Sequence, residues 1–133
     1  MGGEQRQPRN AVGRLSERRF RELVGEALDG LPPEFGELLD NVAVVVEDEP
    51  AEEELRALGM DPRGGEELLG LYQGTPLDAR GFDYGGLPDR VVIYRGPILR
   101  IARTRREVIE QVQETVLHEL GHHFGLEEDD LPF

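Results

Sequence analysis

His118-Glu119-Leu120-Gly121-His122-His123-Phe124-Gly125-Leu126-Glu127-Glu128, late in a chain of 133 residues, is the stretch around which the rest of the sequence is organised. Two histidines four apart on a helix lie on one side of it, one turn apart, so their imidazole nitrogens come within reach of a single tetrahedral cation. The glutamate after the first histidine is placed to act as a base toward a metal-bound water, which is the HExxH arrangement. All three histidines of the chain fall in this stretch. The plain alternative is a helix that happens to end in histidine and acid, because a helical histidine is more often a satisfied core or surface residue than a ligand. Context weighs toward the metal: Gly125 follows three residues after His122, and then come Glu127, Glu128, Asp129 and Asp130.

Working upstream, Thr104-Arg105-Arg106-Glu107 matches a capping box, with a hydroxyl at the N-cap and a glutamate three residues later. From there Val108, Val112, Val116 and Leu120 recur every four residues, joined by Ile109, Leu117 and Phe124. The stripe predicts a long helix with one side buried, turning Gln111, Glu114, His118 and His122 toward another face. A catalytic zinc takes three protein ligands and leaves one position to water, so a third ligand is needed. Gly125 is the residue type that stops a helix in a left-handed conformation, after which the chain can fold under the metal. Glu128 is then the first choice for the third ligand, Asp129 the main competitor, with Glu127 and His123 behind. The plain alternative is a solvated, fraying run of acids.

The remaining elements are legible by period. Ser16 is placed as an N-cap for a helix carrying Phe20, Leu23, Val24, Ala27, Leu28 and Leu31, which must end before Pro32-Pro33. A short second helical segment over Pro33–Leu39 follows. Val42 to Val46 is β-branched and continuous, predicting a strand buried on both faces. Pro50 to Leu58 reads as a surface helix with acids in its first turn. Leu68 to Tyr72 is a weaker strand, Arg80 to Pro88 a glycine-rich loop, and Arg90 to Tyr94 a third strand, with Arg95-Gly96-Pro97 marking a turn. An exposed strand edge, from residues 90–95 or 68–73, would hold an extended peptide by β-pairing. Tyr72, Tyr84, Tyr94, Arg95 and His123 are candidates to stabilise an oxyanion, and the residue types do not choose among them; a tyrosine in a strand is more often packing.

Charge divides the chain. Residues 1–21 hold six Arg against Glu4 and Glu17, a balance of +4, whereas the rest holds nine Arg against 26 acids, a balance of −17. Residues 1–14 read as a disordered basic arm and 15–133 as one domain. The acidic body disfavours nucleic acid, which it would repel. There is no cysteine, so neither disulfides nor thiolate ligands are available. No segment resembles a signal peptide or a membrane span, which predicts a cytoplasmic address and no membrane partner.

The stretches LLGLYQGTPL (68–77), PDRVVIYRGPIL (88–99) and TVLHELGHHFGL (115–126) resemble the small bacterial zincin-like metallopeptidases, also described as minimal zincins. The resemblance covers residues 15 to about 130, and His122-His123-Phe124-Gly125 is its most specific mark. It implies an α+β fold, with a small mixed sheet packed against helices and a C-terminal active-site helix. It also implies His118 and His122 as metal ligands, Glu119 as base, residue 128 as third ligand and one Zn2+ per chain. The implied reaction is hydrolysis of a peptide or unfolded protein segment by metal-activated water. Two departures stand out. Glu128 replaces the usual Asp and is one methylene longer. No Met stands in the eleven residues after His122, so neither a metzincin Met-turn nor a ligand from a later helix is expected. The alternative reading is a catalytically silent module of the same fold that binds a metal or a protein.

Overall fold

A computed structural model describes residues 15–74 and 89–124. The basic arm 1–14, the loop 80–88 and the acids after Gly125 lie outside the described residues. In chain order the elements are α1 (Glu17–Asp29), α2 (Pro33–Leu39), β1 (Val42–Glu47), α3 (Glu52–Ala57), β2 (Gly70–Gln73), β3 (Asp89–Tyr94), α4 (Arg95–Ile101) and α5 (Arg105–Phe124). This is the mixed α+β arrangement expected from the sequence. Among the described residues, no helix is long and apolar enough to cross a membrane.

The sheet runs β1-β3-β2. β3 is central, parallel to β1 with Val44 opposite Val91, and antiparallel to β2 with Tyr72 opposite Val91. Side chains alternate across a strand, so Val42, Val46, Val91 and Ile93 share one face. That face meets Phe20, Leu23, Val24 and Ala27 of α1 and Val108, Val112, Val116, Leu117 and Leu120 of α5 in one buried cluster. Each such side chain, fully buried, contributes about 1.5–3 kcal/mol relative to exposure. α1 starts where Ser16 accepts from Arg19 N–H at 3.1 Å, as the sequence predicts. Gln113 of α5 donates to Ala27 O at 3.0 Å, tying the end of α1 to the site helix.

Three expectations are corrected. The Val42–Val46 run is not buried on both faces: Val42 and Val46 are buried, whereas residues 43–45 are half-buried, because β1 is an edge strand. The turn expected at Arg95-Gly96-Pro97 is the first turn of α4. Proline is tolerated there because the early N–H groups of a helix have no partner within it. Glu107 takes the N–H of Arg103 at 3.1 Å, one residue before the cap, while Thr104 Oγ1 accepts from Glu107 N–H at 3.1 Å as the capping box requires.

The other face of the sheet is closed around Tyr94. Its hydroxyl donates to Glu54 Oε2 at 3.0 Å; that carboxylate also accepts from Gln73 Nε2 at 3.2 Å and Ala51 N–H at 2.9 Å. Burial, and then the bond to Glu54, push the Tyr94 phenol well above the usual tyrosine range. Arg100 donates to both oxygens of Glu49 and both oxygens of Glu67, fastening α4 to the segments on either side of α3.

Gly70 sets how closely α5 lies on the sheet. A Cβ there would stand 2.5 Å from Thr115 Cγ2 and 2.8 Å from Val92 O, so no side chain fits without moving α5. Gly70→Ala is expected to cost about 1–3 kcal/mol in chemical denaturation, and Thr115→Ser in the same chain to restore part of it. The Glu67 carboxyl is held below the usual range chiefly by its hydrogen bond to Arg100. A depressed pKa gives stability that is present above the unfolded value, about 4.3, and lost as pH falls through the folded one. Glu67→Gln should therefore flatten the acid limb of a stability-against-pH curve below about pH 5 and leave its neutral region parallel to wild type.

Candidate metal centre

Because Val108, Val112, Val116 and Leu120 are fully buried, α5 cannot rotate about its axis without exposing them. Residues two positions beyond Val116 and Leu120 point about 200° around the helix from that stripe. His118 is accordingly half-buried and His122 exposed. Their ring centroids are 6.3 Å apart, with the planes inclined at 56°. Two imidazoles sharing one tetrahedral cation at about 2.0–2.1 Å would have centroids about 5 Å apart. The observed rings stand about 1 Å farther apart than that, and His122, being exposed, is the freer of the two to turn. Their nitrogen donor chemistry fits zinc and, equally, other borderline divalent ions. Among the described residues, no group of three or more His, Cys, Asp and Glu stands together to hold a metal. Glu127, Glu128 and Asp129, from which the third ligand is expected, lie outside the described residues.

Glu119 is half-buried and turned toward the sheet. Its Oε1 accepts from the backbone N–H of Tyr72 at 2.9 Å. Tyr94 N–H donates to Leu69 O at 2.9 Å, so alternation along an antiparallel ladder aims the amides of Gly70 and Tyr72 away from β3. Glu119 therefore meets the outer edge of the sheet. β3 is paired on both sides, which removes residues 90–95 as a peptide-binding edge and leaves β2 beside α5.

Of the oxyanion candidates, the structure brings two together. Tyr72 and His123 stack with centroids 3.9 Å apart and planes at 13°. Tyr72 donates its hydroxyl to Asp89 Oδ2 at 2.7 Å, and His123 Nε2 lies 3.8 Å from the same oxygen. Tyr94 is committed to Glu54 on the opposite face, and Arg95 donates to Asp48 Oδ1 at 2.9 Å and Leu15 O at 3.0 Å. Tyr84 lies outside the described residues. Asp89 was not legible as a site residue: it is an acid at the first position of a strand, and no spacing links it to the histidines.

The model of the zincin-like metallopeptidase family matches residues 39–132, from the end of α2 past the histidine motif. This chain belongs to that family. Among solved structures, the zincin-like chain is similar to a conserved hypothetical protein from Thermo thermophilus, at 28% identity and a TM-score of 0.56, over 83% of this chain and 94% of the other. No curated protein matches it. The family assignment agrees with the small mixed sheet packed against helices and with the C-terminal helix α5.

Proposed function

We propose that this chain binds one divalent cation, zinc in the first instance, through His118, His122 and a carboxylate delivered after Gly125, with Glu128 ahead of Asp129. We further propose that the loaded site hydrolyses peptide bonds in exposed or unfolded protein segments. The observation that carries this reading is the contact of Glu119 with the outer edge of β2, through the Tyr72 N–H bond, while His118 and His122 stand beside each other on the adjacent face of α5. A bound cation of this type supplies an acidified water and polarises a carbonyl. With one carboxylate oxygen on the Tyr72 amide, Glu119 has its second oxygen to accept a proton and return it to a leaving amine. The edge of β2 offers backbone groups to an extended peptide, and the acidic body argues against a nucleic-acid partner.

A second reading is a catalytically silent zincin-like module that binds a metal or a protein. What the described residues gather favours it: two imidazoles without a third donor, and a Glu119 carboxylate already engaged by β2. Fold and family support both readings equally, and the silent module asks for nothing beyond them.

Zinc content and peptide hydrolysis of wild type and Glu119→Gln separate the two. Gln retains an Oε1 acceptor for Tyr72 N–H, so the variant removes the base without loosening the helix. The hydrolase reading expects about one zinc per chain in both proteins and a rate lowered on the order of 10²–10⁴-fold in the variant. Metal in both and hydrolysis in neither establishes the silent module; a wild type that stays metal-free in excess zinc ends both metal readings.

A further inference from the structure

Tyr72 touches α5 through both its backbone and its ring. Its backbone N–H donates to Glu119 at 2.9 Å, and its ring stacks on His123 at 3.9 Å. Residues 119 and 123 are one helical turn apart on one face, and residues 118 and 122 lie about 100° away on the adjacent face. A strand residue that holds the first pair therefore fixes the angle at which the second is presented. The tyrosine ring is itself fixed from the far side, because its hydroxyl donates to Asp89 Oδ2 at 2.7 Å. The Asp89 side chain is 11% exposed and belongs to β3, the strand that the core holds most firmly. Gly74 closes the cluster: a Cβ there would lie 3.4 Å from Tyr72 Cε1, 3.7 Å from His123 Cε1 and 3.9 Å from Asp89 Cγ.

We propose that Tyr72, braced by Asp89, is the positioning residue of the candidate metal centre: it locks the last turn of α5 so that His118 and His122 face one point. The inference rests on the metal-centre reading for its consequence, though the lock itself is a property of the metal-free chain. Among the described residues, Val116, Leu117 and Leu120 seat this part of α5 on the core. Tyr72 adds a second constraint, at residues 119 and 123, from the side of the sheet edge. The brace links β2 and β3 to α5 mainly through side chains, so the helix can be loosened locally without breaking the sheet.

The test uses the full chain as wild type, Tyr72→Ala, Tyr72→Phe and Asp89→Asn, with two readings. The first is amide hydrogen exchange along α5 without metal. Tyr72→Ala is expected to speed exchange of the amides of 120–124 on the order of tenfold and to leave 112–116 unchanged. The second is zinc affinity by chelator competition, with the absorption spectrum of the cobalt-loaded protein as a report on ligand geometry. Affinity should fall roughly 10–100-fold in Tyr72→Ala, with an altered cobalt spectrum, and by less in Tyr72→Phe, which keeps the stack. Unchanged exchange, affinity and spectrum in Tyr72→Ala overturn the positioning role while leaving the metal centre standing. Faster local exchange in the variant, with a wild type that binds no zinc, upholds the lock and ends the metal-centre reading. If Tyr72→Ala loosens all of α5, Asp89→Asn, which keeps the ring and every backbone group, decides by the same two readings.

Discussion

The seating of α5 on the sheet is the constraint from which the candidate site follows. A helix carrying Val108, Val112, Val116 and Leu120 on one side has a single stable rotation once those side chains are buried. The absence of a side chain at Gly70 lets Thr115 come against the strand backbone, so the distance between helix and sheet is as determined as the rotation. Each later residue of α5 then has a place dictated by helical arithmetic. Glu119 arrives at the edge of β2, and His118 and His122 emerge on the adjacent face. The candidate site borrows its geometry from apolar packing, which a small sheet and a few helices suffice to supply.

The two faces of the sheet do different work. One carries the core shared with α1 and α5. The other is organised by polar hubs: the Glu54 carboxylate receives three donors, from Ala51 at the start of α3, from β2 and from β3, and the Arg100 guanidinium holds two carboxylates at once. In a chain so rich in acid, arginine-centred pairing of this kind offsets local repulsion among carboxylates that would otherwise face one another. β2 is four residues long and depends on both faces, through Gln73 to Glu54 on one side and Tyr72 to α5 on the other. A strand so short does not keep its register unaided; its neighbours hold it in place.

What was legible in the sequence was local. Ser16 and Thr104 mark helix starts by chemistry that acts within three residues, and the four-residue spacing of valines identifies the buried side of α5 whatever it packs against. The same spacing rule places His118 and His122 together before any tertiary structure is considered. The illegible features all depend on partners distant in sequence. Whether Ala43, Val44 and Val45 are buried depends on β1 being at an edge, and strand order leaves no trace in the strand itself. Arg95 and Pro97 read as a turn because a helix starting directly from a strand end lacks a side-chain cap, and α4 has none. Asp89 and Tyr72 join the site through β-pairing across a long connection, which no local period encodes.

The central claim is that His118 and His122 jointly hold one cation with a side open to solvent. X-ray absorption at the zinc edge of the metal-loaded chain measures this directly. Two imidazole nitrogens at about 2.0–2.1 Å are expected, with oxygen donors completing a four- or five-coordinate shell. One imidazole or none in that shell would contradict the claim.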